Sequence, residues 1–134
     1  MSHPNFSAFI APALNGGSPQ SHRLVRALRV AGLASGQQAD PQPRLVELLG
    51  TAHAARCFRL LIAGMAHVWP DPLTVFRPCC PRLTHDEAAL LAMVSHAARY
   101  DRRAFDAAIG EMIAEDARDW LFVNAARLAA AMRA

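Results

Sequence analysis

Lysine is missing altogether: all fourteen basic residues are arginine. We read this as codon bias and give it no functional weight. No apolar run approaches the roughly 18 residues that a membrane span needs, so no membrane partner is expected. Three cysteines, Cys57, Cys79 and Cys80, are an odd number with none of the spacings of a secreted disulfide framework. The cytoplasm is therefore the expected compartment. The amino-terminal stretch has no basic region ahead of its apolar patch, which is short and broken by Pro12, so it does not read as a signal peptide. Enzyme signatures are missing too. No Gly-rich phosphate loop joins a strand to a helix, and no serine sits in a nucleophile elbow. Asp86, Glu87, Glu111, Glu115, Asp116 and Asp119 fall in first helical turns or on exposed faces, where carboxylates are ordinary helix chemistry. These absences argue against catalysis and leave no cofactor to expect.

What is present is enough for one globular domain. The chain has 134 residues, 53% of them hydrophobic and 19% charged, a balance that supports a core of its own. The net charge of +3 is unevenly spread: residues 1–85 carry eight arginines against three acids, whereas residues 86–134 carry six against eight. That asymmetry suits self-association or docking of the front half on an acidic partner, although blocks of like charge ordinarily form solvated faces.

The periodicity predicts an all-α fold, a compact bundle of about six helices with a Pro-rich loop between the third and fourth. Residues 1–17 read as a flexible arm, with Pro4, Pro12 and the Asn15-Gly16-Gly17 turn cluster, and residues 18–134 as the single helical domain. Phe6 and Phe9 are large apolar groups for an arm. They suit a groove on the same subunit as well as docking on a neighbour.

Ser18 and Pro19 form a helix start signal, and the first helix is expected to end near Val30 or Ala31, at Gly32. Its apolar side is Leu24, Val25, Ala27, Leu28 and Ala31, with Arg23, Arg26 and Arg29 opposite. Asp40 and Pro41 open a short second helix closed by Gly50. The third runs to Val68 with Cys57, Phe58, Leu61, Ile62 and Met65 inward, which makes Cys57 a core residue. Thr84 and Glu87 form the reciprocal capping box of the fourth. Asp101 caps a fifth, whose apolar period reaches Met112 and Ile113. The sixth, from about Asp116, carries one stripe of Leu121, Ala125, Leu128 and Met132 and a second of Trp120, Val123 and Ala131. A helix apolar on two sides is central in its bundle or shared with another subunit.

The unusual stretch is RPCCPRLTHDEAALL, residues 77–91. Adjacent cysteines diverge and rarely converge on one ion, so a metal site there would need Cys79 or Cys80 to join His85 and a further histidine. Arg77, Arg82 and the following helix N-terminus favour a thiolate, and a vicinal disulfide would make a redox switch. The preferred reading is that the prolines fix the loop while the thiols pack as small apolar groups. His53 and Cys57, four residues apart, are ligand-compatible on one helix, but a surface histidine beside a core cysteine is the commoner case. His85 and His96 lie about 16 Å apart along their helix and cannot share an ion.

Taken together, RLVRALRVAGLA, LVELLGTAHAARCFRLLIAGMA and PCCPRLTHDEAALL resemble a family of short, uncharacterised alphaproteobacterial proteins, a domain of unknown function. Similar proteins often carry a third cysteine where this chain has Pro81, a departure that weakens metal binding by the loop alone. The family has no established activity, so the resemblance implies organisation and not function.

The arginines of the first helix, with Arg56 and Arg59, offer a modest basic surface, but nucleic-acid motifs are missing and that partner is not expected. The expectation is a non-enzymatic protein that binds another protein or a second copy of itself, as a homodimer through Trp120 and Val123 and the arm's Phe6 and Phe9. The alternative is a thiol-redox or metal module at Cys79 and Cys80. No small-molecule ligand is specified.

Overall fold

The computed structural model describes residues 18–110 and 113–133. The expectations for Phe6, Phe9 and the rest of residues 1–17, and for Glu111 and Met112, lie outside the described residues. Six helices follow one another: α1 (Pro19–Gly36), α2 (Gln42–Leu49), α3 (Ala52–Val68), α4 (His85–Ala98), α5 (Arg102–Ile109) and α6 (Glu115–Arg133). No strand forms among the described residues, and none of their helices is long and apolar enough to cross a membrane.

Local chemistry sets most boundaries. Ser18 accepts the Ser21 amide at the start of α1, Thr51 the Ala54 amide at the start of α3, and Asp101 the Ala104 amide at the start of α5. Each hydroxyl or carboxylate satisfies a donor that the first helical turn leaves free. Gly50 ends α2 at φ 99°, and Gly110 ends α5 at φ 75°, conformations that a Cβ would strain.

Two boundaries differ from the sequence expectation. α1 continues four residues past Gly32, because this glycine is a contact and not a stop. A Cβ there would lie 3.1 Å from Val75 Cγ2, so its absence lets the loop between α3 and α4 press on α1. α5 closes at Ile109 instead of reaching Ile113. Gly110 breaks the helix, and Ile113 is buried beyond it without being helical.

The core joins Leu24, Leu28, Phe58, Leu61, Met93 and Leu128 among others. α6 is the central element and packs most extensively against both α3 and α4, while α1 packs on α2 and α4. Its first stripe, Leu121, Ala125, Leu128 and Met132, is buried as expected. The second divides: Ala131 is buried, but Trp120 and Val123 remain on the surface.

Candidate functional site

Two places combine unusual residues with a defined geometry. The first is the loop ahead of α4. Cys80 N–H donates to the Arg77 carbonyl at 3.0 Å, closing a turn in which Pro78 supplies a preset φ. The turn leaves Cys79 exposed and Cys80 partly buried, and all three cysteines are free thiols.

Beneath the turn lies a residue the sequence reading had placed on the surface. Arg29 is buried, only 1% exposed, because the loop covers it. Its guanidinium commits every donor it owns. Nε donates to Glu87 Oε2 at 2.8 Å and Nη2 to Glu87 Oε1 at 3.0 Å. Nη1 donates to the Cys80 carbonyl at 2.7 Å and, more weakly, to that of Pro78 at 3.4 Å, and Nη2 also donates to the Arg82 carbonyl. The planar fork is what allows one cation to hold a carboxylate and three carbonyls at once; an ammonium has neither the donors nor the geometry.

Glu87 lies in the first turn of α4, as expected, and is fully buried there. Besides Arg29 it accepts the Thr84 amide at 2.8 Å, the capping box, and the Phe76 amide at 3.1 Å. Both oxygens are thus doubly bonded. Burial pushes this carboxyl up, but the Arg29 hydrogen bond and the two backbone amides outweigh it and hold the group below its ordinary value. Arg29 is held protonated above its ordinary value, chiefly by the hydrogen bond to Glu87 against the opposing effect of burial, with weaker attraction from Cys80 and Cys79.

The rest of the first turn of α4 completes the tether. Thr84 Oγ1 donates to the Thr74 carbonyl at 2.7 Å, while Asp86 accepts the Trp69 indole N–H at 3.0 Å and the Thr74 amide at 2.7 Å. The backbone of the Leu73–Phe76 stretch therefore pairs with carboxylates, Thr74 with Asp86 and Phe76 with Glu87. His85 points to solvent beside this network. Among the described residues no group of three His, Cys, Asp or Glu side chains gathers as a metal would need.

The second place is the face shared by α3 and α6. The two helices run antiparallel: one hollow is lined by His53, Arg56, Leu60, Asn124 and Arg127, the other by Leu60, Gly64, His67, Ala117 and Trp120. The chain thus pairs the start of α3 with the end of α6, and the reverse. Leu60 is 50% exposed, Trp120 40% and Val123 47%. Trp120 lies flat on α3 because Gly64 has no side chain; a Cβ there would overlap the indole ring.

Cys57 belongs to this surface. Half-buried, with its sulfur 3.8 Å from His53 Nε2, it lines the first hollow at the margin of the core instead of lying within it as expected.

The basic stripe read on α1 dissolves in the same way. Arg29 is inside, Arg23 donates to the Leu48 carbonyl at 2.8 Å, and only Arg26 is left on the surface. Arg59 pairs with Asp40 at 3.8 Å and with Gln42.

Sequence reasoning missed Arg29, Glu87 and Leu60. Arg29 follows the buried Val25 by four residues, so it continues an apolar row, which was the available signal. Leu60-Leu61-Ile62 is a run of three apolar residues that one helix cannot turn wholly inward. No protein-family model, no curated protein and no solved structure matches the chain.

Proposed function

We infer that this is a non-enzymatic binding protein that engages another protein, or a second copy of itself, through the α3–α6 face. The observation that carries the reading is the pair Leu60 and Trp120, which line one hollow between α3 and α6 while 50% and 40% exposed, with Val123, 47% exposed, three residues along the same α6 stripe as Trp120. Isolated surface apolar residues need no explanation, whereas a contiguous group marks an interaction site. Trp120 is suited to anchor such a contact: Gly64 seats its ring, and a large, rigid aromatic loses little conformational freedom on binding.

The polar network around Arg29 supports the same assignment by contrast. Its donors and acceptors are spent on the protein's own loop, which leaves it a structural part.

Trp120→Ala should abolish association, measured by sedimentation of the concentrated protein or by co-purification. Leu33, on α1, provides the control, because it is 52% exposed but stands outside the face. Leu33→Gln should leave association intact. Equal sensitivity at the two positions, or none at Trp120, would refute the assignment.

A further inference from the structure

The α3–α6 face is polarised along its length, and the inference that follows rests on its assignment as the binding face. On α6 the exposed row is Asp116, Trp120, Val123 and Arg127. Spacings of four, three and four keep these residues on one helical stripe. An acid closes the row near the start of α6. An arginine closes it towards the other end, where Arg56 of α3 lines the same hollow as Arg127 and adds a second cation. Among the described residues, none of Asp116, Arg127 and Arg56 has an ion-pair partner within the chain.

The row is also symmetric in register. The midpoint between Trp120 and Val123 is the midpoint between Asp116 and Arg127. A two-fold axis lying in the face and crossing α6 at that midpoint sets the helix antiparallel to its counterpart in a second copy. Each Asp116 then meets the second copy's Arg127, and each Trp120 the second copy's Val123. The row spans about 16 Å from acid to arginine, so the charges fall at the rim and the apolar pair at the centre, the usual anatomy of an interface. A two-fold axis along the helices would instead lay the basic end of one copy on the basic end of the other, which like charges oppose.

We propose that the α3–α6 face closes on a second copy of this chain about the transverse axis, with Asp116 and Arg127 forming reciprocal ion pairs. Such an interface is isologous and closed, so assembly stops at two copies.

Sedimentation equilibrium of the full chain at low salt tests this, with circular dichroism confirming that each variant keeps its helices. The wild type is expected as a dimer. Arg127→Glu sets acid against acid twice per dimer, and Asp116→Arg sets arginine against arginine; each should weaken dimerisation roughly tenfold or more. An equimolar mixture of the two variants should recover the dimer mass, because only the heterodimer joins opposite charges at both rims. Failure of the mixture to recover overturns the antiparallel pairing. A dimer lost with Trp120→Ala yet indifferent to both charge reversals keeps the face and likewise overturns the pairing. A monomeric wild type overturns the second copy as occupant and leaves the face to a different protein. A dimer indifferent to all three variants overturns the pairing and the face together.

Discussion

The loop ahead of α4 and the face of α3 and α6 make opposite uses of their residues. The loop contains the chain's most conspicuous chemistry: adjacent cysteines, prolines, a buried arginine and a buried glutamate. Its polar groups nevertheless turn inward, and Arg29 and Glu87 fill one another's bonding capacity together with the loop backbone. The face has plainer residues, leucine, tryptophan, valine and glycine, and these remain open to solvent with unpaired charges at its two ends. Chemical rarity and functional availability are thus separate properties. A group whose bonds are all satisfied within the fold has nothing left to offer a partner, while an exposed apolar cluster still has burial to gain.

The sharpest way to break this contrast is to remove one half of the buried pair. Arg29→Met leaves Glu87 buried without its counter-charge and frees three loop carbonyls, and it should cost about 3–5 kcal/mol in urea unfolding. A double variant with Glu87 also replaced by an apolar residue should recover part of that loss, since no lone charge is then buried. A cost under about 1 kcal/mol for Arg29→Met would mean that the loop is not held as described.

Acid provides the next largest effect. Because Glu87 is held below its ordinary value of 4.5, the folded state binds this proton less readily than the unfolded state. Its contribution is therefore complete above that value and is lost as the pH falls through the depressed one. The stability gap between wild type and Glu87→Gln should narrow steadily from pH 5 downwards. A gap that stays constant to pH 3 would show that the carboxylate's charge is not what secures the loop.

The smallest effects belong to the exposed positions of both regions. Cys79→Ser should change stability by less than about 0.5 kcal/mol, and in native protein a thiol reagent should label Cys79 faster than Cys80 or Cys57, whose side chains are partly covered. Equal labelling rates would mean that the turn opens readily, and would blur the distinction between a closed loop and an open face.

Much of the helical layout was legible in the sequence because helix ends are local. Thr84 and Glu87, Asp101, and Ser18 with Pro19 announce helix starts through contacts within one turn, and those contacts form. α4 illustrates the limit of such reading: its capping box is correct, but the same Glu87 has a second role that depends on Arg29, 58 residues away along the chain. Nothing local marks Arg29 as buried beyond its place four residues after Val25. Gly32 reads locally as a helix stop for the same reason, since an absent side chain matters only once Val75 arrives from elsewhere, as Trp120 does at Gly64.

The sequence by itself determined the all-α class, the capped starts of α1, α4 and α5 and the inward stripe of α6, because periodicity and capping act over a few residues. Tertiary packing decided which polar residues were buried and which apolar ones were left out. Arg29 lies inside because a distant loop and a distant glutamate satisfy all its donors. Trp120 and Val123 lie outside because α6 can cover only so much of itself with α3 and α4, and the stripe that remains faces water.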